Sequence, residues 1–263
     1  MKPIYVDQLP VFSQNLLALA PRLLPYPACR TLLLSLTRPS LRESYLTAMR
    51  LEVLWLGQRY LKKNFVHQGV DQIDPEETYV ITSLHYGQWG MYPASLYQQT
   101  GISSQMIISG RNRKPNSRPS HFWHQFGHLK QGLSGHPGRY STDRFFQHVS
   151  QLKQGINQVT ILDVREQGLQ QKELATDFMG EPFYLPATVP LLARRAQVRI
   201  LPYLGYYDSA TGQHRVQWFA PVSPAPDNAK TLQALVDLFQ PTFARHPEFY
   251  FNDLAWMRTP FQG

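Results

Sequence analysis

The chain has a single cysteine, Cys29, among its 263 residues. No disulfide can close within it, so a reducing, cytosolic setting is the expectation. It is also short of acids: 18 Asp and Glu stand against 26 Lys and Arg, a net charge of +8. That imbalance points to an anionic partner, whether phospholipid headgroups, a phosphorylated glycolipid or nucleic acid. Unbroken apolar runs are missing too. The leucine-rich stretch 16–36 is cut by Pro21, Arg22, Pro25, Pro27 and Arg30, which excludes a spanning helix of about 20 residues. Residues 1–8 lack the basic-then-apolar pattern of a secretory signal. Two readings of 16–36 stay open: short helices packed on the domain, or a segment lying on a bilayer with Arg22 and Arg30 near the headgroups.

Hydrophobic residues make up 43% of the chain and charged residues 17%, the balance of a globular protein with a substantial core. There is no internal repeat and no low-complexity tract. Residues 1–65 read as a helical segment packed on the core, and 66–263 as one α/β domain. In that domain apolar runs over 79–84, 105–109, 158–162 and 198–203 read as strands. Residues 206–208 and 215–219 read as a hairpin around Thr211-Gly212. Helices are predicted over 93–100, 119–131, 142–154, 186–196 and 231–245. This alternation predicts a mixed central sheet flanked by helices on both faces, preceded by N-terminal helices.

The stretch with the clearest chemistry is Val80–Gly90. Its strand stops at His85, Gly87 breaks it, and Pro93 suits the first turn of the helix that follows. An imidazole is thereby offered where a strand ends and a helix begins, a usual place for a catalytic group in an open α/β sheet. The alternative is a hydrogen-bonded turn histidine. A second constellation is basic. Between Arg111 and Lys153, eight Lys or Arg face one acid, Asp143, and carry nearly the whole charge excess. Arg111 and Arg113 suit phosphate groups. Phe122, Trp123 and Phe126 interleave with these charges, but no recognisable nucleic-acid motif accompanies them, so no nucleic-acid partner is expected. His121, His124 and His128 fall on one helical face; without a fourth ligand they read as a polar or headgroup-facing stripe, and no metal is expected.

His85-Tyr86-Gly87-Gln88-Trp89-Gly90 resembles the His-x-Gly-Asn-Trp-Glu signature of the lipid A late acyltransferases, the bacterial lauroyl and myristoyl transferases of lipopolysaccharide synthesis, within the lysophospholipid acyltransferase superfamily. In that family the histidine is the base and the acid five residues later orients it; here Gly90 holds the acid's place. The resemblance continues weakly along 40–260. Gly110-Arg111-Asn112-Arg113 is similar to a Tyr-Arg-Pro-x-x-Asn stretch, Phe178-Met179-Gly180-Glu181-Pro182 to Phe-Phe-Gly-x-Pro-Ala, and Pro247-Glu248-Phe249-Tyr250 to Pro-Glu-Gln-Tyr. The arginine pair that follows in the family is replaced by Ala255 and Trp256, leaving Arg258. The segment 161–168 resembles Pro-Asp-Gln-Asp-x-Gly. Matching it on Gly168 puts Glu166 on the second family acid and leaves Asp163 displaced by one, so Glu166 is favoured over Asp163 as the replacement carboxylate.

The resemblance implies an acyltransferase-like fold and transfer of an acyl group from a carrier-protein thioester to a hydroxyl of lipid A or a related glycolipid, without a cofactor. His85 would be the base, with Glu166 or Asp163 beside it. Arg111, Arg113, Arg165, Gln88, Trp89, Phe178 and Met179 are the implied substrate contacts. Partners would be an acyl- or aminoacyl-loaded carrier protein and an anionic glycolipid or phospholipid, at the cytoplasmic face of the inner membrane. Two alternatives remain open: glycyl transfer to lipid A in resistance to antimicrobial peptides, and an inactive homologue that binds anionic lipid.

Overall fold

The computed structural model describes residues 65–87, 89–107, 145–164, 173–208, 210–250 and 254–260. The expected N-terminal helices, the helix over 119–131 and its histidines lie outside them. Among the described residues a six-stranded sheet runs in the order β1 (Phe65–Gln68), β8 (Gln213–Trp218), β7 (Arg199–Asp208), β2 (Tyr79–Ser83), β4 (Asn157–Ile161), β3 (Ser104–Met106). Only β7 and β8 pair antiparallel; every other neighbour is parallel. β5 (Glu173–Phe178) and β6 (Glu181–Pro186) form a separate antiparallel hairpin.

β2 is the middle of this sheet, and its sequence explains why. All five residues of Tyr-Val-Ile-Thr-Ser are buried. A parallel strand covered on both faces is apolar throughout rather than alternating. Successive side chains enter two different cores. Val80 and Leu84 join Ile200 and Leu204 under α2 (Phe145–Lys153), α3 (Thr188–Ala196), α4 (Asn228–Arg245) and the β5–β6 hairpin. Tyr79 and Ile81 join Leu201, Tyr203 and Trp218 on the other face, against α1 (Tyr92–Thr100). Helices therefore cover both faces, as the sequence predicts.

The helices follow their local signals. α1 starts with Pro93 in its first turn and stops at Gly101, whose φ of 78° is the left-handed cap that glycine tolerates. α4 is capped by the Asp227 side chain, which accepts from the Ala229 N–H at 2.9 Å. Its stripe Leu232, Leu235, Val236, Phe239 and Phe243 is buried, the i, i+3, i+4, i+7 spacing of an amphipathic helix. No helix among the described residues is long and apolar enough to cross a membrane.

The structure departs from the sequence reading in three places. β1 extends the sheet by an edge strand where the reading had the helical segment ending at Phe65 and no element over 66–68. β7 is one strand of 10 residues, not two pieces. The segment around Phe178 and Met179 is the β5–β6 hairpin.

Candidate active site

His85 and Asp163 are brought together by strand register. β2 and β4 are parallel neighbours, with Ser83 opposite Ile161. The ladder continues one step further, as the Leu162 N–H donates to the Ser83 carbonyl at 2.8 Å. His85 lies two residues past Ser83, and Asp163 lies two past Ile161, so the two side chains emerge level at the same sheet edge. A single carboxylate oxygen, Asp163 Oδ1, accepts from the His85 backbone N–H at 2.9 Å and meets His85 Nδ1 at 3.0 Å. The other oxygen, Oδ2, accepts from the Tyr250 hydroxyl at 2.9 Å.

Asp163 is wholly buried, while the His85 side chain is 24% exposed. Burial pushes the Asp163 carboxyl up. The opposing charge of His85 and the bonds from the His85 ring, the Tyr250 hydroxyl and the His85 N–H outweigh that push, and the carboxyl is held below its ordinary 3.8. Three donors on one buried carboxylate are what such a charge needs to be tolerated. An ionised Asp163 can only accept, so the proton between the two side chains sits on His85 Nδ1, and in the neutral form of the ring the lone pair is then on Nε2.

The turn that presents His85 is fixed by two glycines. Gly87 adopts φ 53°, a conformation side chains resist. A Cβ there would lie 2.0 Å from the Gly205 carbonyl oxygen and 2.4 Å from the Tyr92 hydroxyl. Gly205 in turn makes room for the Tyr92 ring, which a Cβ would approach to 2.6 Å. The turn is thus pressed onto β7. Trp89 stands edge-on to the His85 ring, with centroids 5.1 Å apart, and its carbonyl accepts from the Tyr203 hydroxyl at 2.7 Å. Burial raises the Tyr203 phenol well above its ordinary value, so it stays protonated as that donor.

The segment 246–250 straps across the same turn. Its Phe249 carbonyl accepts from the Gly87 N–H at 2.9 Å, its His246 carbonyl accepts from the Tyr86 hydroxyl at 2.6 Å, and Tyr86 bridges to Tyr250.

Of the residues singled out in the sequence, the structure groups His85, Asp163 and Trp89. The carboxylate it puts on the imidazole is Asp163, the residue displaced by one in the motif comparison. Glu166, Arg165, Arg111, Arg113 and Gln88 lie outside the described residues. Gly90, in the family acid's place, is half-buried beside Trp89. Phe178 is 4% exposed and packs on Phe183 and Phe243 in the core, with centroids 4.9 and 4.7 Å away. Met179 is 51% exposed at the hairpin tip, where its N–H donates to Gln240. Tyr250 is the site residue that sequence reasoning passed over as a motif remnant. No group of His, Cys, Asp and Glu among the described residues is arranged to hold a metal ion.

A histidine–carboxylate pair at the C-terminal end of a parallel strand, with its ring partly open to solvent, is an arrangement that can serve general-base chemistry on an α/β sheet. Comparison with known proteins says which kind. The family model for bacterial lipid A biosynthesis acyltransferases matches residues 44–258, and the chain belongs to that family and is an acyltransferase. No curated protein sequence matches it. Among solved structures it is similar to the 1-acyl-sn-glycerophosphate (LPA) acyltransferase PlsC from Thermotoga maritima, with 14% identity and a TM-score of 0.44 over 89% of this chain and 97% of that one.

Proposed function

We propose that this acyltransferase moves an acyl group from a carrier-protein thioester to a hydroxyl of lipid A or a related glycolipid, with His85 as general base and Asp163 as its orienting acid. The observation that carries this is the 3.0 Å contact from His85 Nδ1 to a buried, ionised Asp163. His85 Nε2 takes the proton as the acceptor oxygen attacks the thioester carbonyl, and Asp163 stabilises the imidazolium that forms. The tetrahedral intermediate then collapses, the C–S bond breaks, and the departing thiolate recovers the proton from the imidazolium. No cofactor enters these steps. The overall charge of +8 and the basic segment with Arg111 and Arg113 support an anionic, phosphate-bearing acceptor at the cytoplasmic face of the inner membrane.

A short aminoacyl donor, glycine, is the second reading. It draws on Phe178, the residue expected to line a long acyl pocket, being packed into the core instead. Mixed micelles of lipid A precursor, supplied in turn with fatty-acyl-loaded and glycyl-loaded carrier protein, test both. Transfer from one donor identifies it, and His85→Ala is expected to lower kcat by about 10³-fold or more. Turnover undiminished in His85→Ala would overturn the base assignment. Lipid binding without transfer from any donor would instead make the chain an inactive, lipid-binding homologue.

A further inference from the structure

The structure assigns Tyr250 as a positioning residue for the acid of this site, an inference that rests on His85 acting as the base. Its hydroxyl donates to Asp163 Oδ2 at 2.9 Å while Oδ1 faces His85. The carboxylate is thus held from both ends, and its rotation about the Cβ–Cγ bond is blocked. The ring of Tyr250 is fully buried, between Phe243 at 5.3 Å and Phe183 at 6.5 Å between centroids, so the hydroxyl has little freedom of its own. Its backbone is also tied to the residue after His85 through the Tyr86–Tyr250 bridge. One residue therefore fixes the acid through its side chain and the base's turn through its main chain. The centre is a triad drawn from three distant parts of the chain.

In such an arrangement the hydroxyl acts on turnover through Asp163. Without it, the carboxylate loses the donor on Oδ2 and is freer to rotate, the Nδ1–H tautomer of His85 becomes less populated, and Nε2 is less often the proton acceptor. Tyr250→Phe keeps the ring and its packing, which separates this effect from folding.

The test is a double-mutant cycle of Tyr250→Phe with Asp163→Ala, or with Asp163→Asn should the alanine variant fail to fold. It is read in two ways. With the donor and lipid A precursor that support turnover, Tyr250→Phe is expected to lower kcat about 10-fold with KM unchanged, and to have less than about a twofold effect once Asp163 is replaced. Independently of any substrate, diethyl pyrocarbonate labelling at pH 8, followed at each histidine by peptide mass spectrometry, is expected to slow about threefold at His85 in Tyr250→Phe, with His246 unaffected and the effect absent without Asp163. Equal losses in both backgrounds would make Tyr250 merely structural, and wild-type labelling and kcat in Tyr250→Phe would overturn the proposal. If His85→Ala remains active while the labelling cycle still couples, the base assignment fails and the Tyr250–Asp163–His85 linkage stands.

Discussion

Two histidines on the same sheet, His85 beyond β2 and His67 on β1, are set to opposite states by what meets their Nδ1. At His85 it is a carboxylate, an acceptor, so Nδ1 carries the proton and Nε2 the lone pair. At His67 it is the indole N–H of Trp218, a donor, at 2.7 Å. Nδ1 there must hold the lone pair, and Nε2 donates to the Ser95 hydroxyl at 2.8 Å, whose own O–H donates to the Tyr92 carbonyl at 2.9 Å. Among the described residues His67 is bonded to no acid, and burial pulls it from 6.5 down to about 4. One imidazole carries, on the proposed reading, the lone pair that takes a proton from the substrate. The other is a neutral strut that ties β1, β8 and α1 together. The residue type is uninformative by itself; the polarity of its neighbour decides.

That contrast can be broken from the His85 side most severely. Replacing Asp163 by Asn presents an amide in place of the charge, and kcat is expected to fall about 10²- to 10⁴-fold with KM little changed, measured as steady-state transfer. Next comes the turn. Gly87→Ala would force a side chain into the left-handed region and against Gly205, so a loss of roughly 2–4 kcal/mol in urea-unfolding stability is expected, together with a large fall in kcat as His85 is displaced.

The smallest effect sharpens the other half of the comparison. His67 binds its proton less readily in the folded state than when unfolded, so its contribution to stability is complete above pH 6.5. It is lost progressively as pH falls from 6.5 to about 4. Over that window it removes about 3 kcal/mol from the wild type. His67→Gln, which cannot titrate, is expected to flatten that slope in urea unfolding followed at pH 7 and pH 4.5, with kcat at pH 7 close to wild type. An unchanged slope would mean that another group sets the acid sensitivity.

Part of the candidate site was legible in the sequence: His85 from the strand end and the motif alike, and Asp163 as the less favoured of two acids. The apolar runs 79–84 and 158–162 each end at a polar residue, His85 and Asp163, and parallel neighbours in register bring those two together. Matching on Gly168 favoured Glu166, which lies outside the described residues, whereas counting from the ends of the two strands puts Asp163 at His85. Gly205 made β7 look like two strands, and its place in one strand is explained by the Tyr92 ring lying on it. The β5–β6 hairpin was hidden because its turn is Met179-Gly180. Both residues adopt positive φ, 58° and 80°, but Met lacks the Asn or Asp signal that usually marks such a turn. Tyr250 could not be found from spacing, since it reaches Asp163 across 87 residues of chain.

The shared register of β2 and β4 also sets how the gene can vary. Because side chains alternate from one face to the other, a single codon gained or lost within either strand would aim the imidazole and the carboxylate to opposite sides of the sheet. Substitutions in these strands test packing, but an in-frame insertion or deletion would separate His85 from Asp163 at one stroke. Length changes should therefore accumulate in the connections between strands and be purged between Tyr79 and His85 and between Asn157 and Asp163.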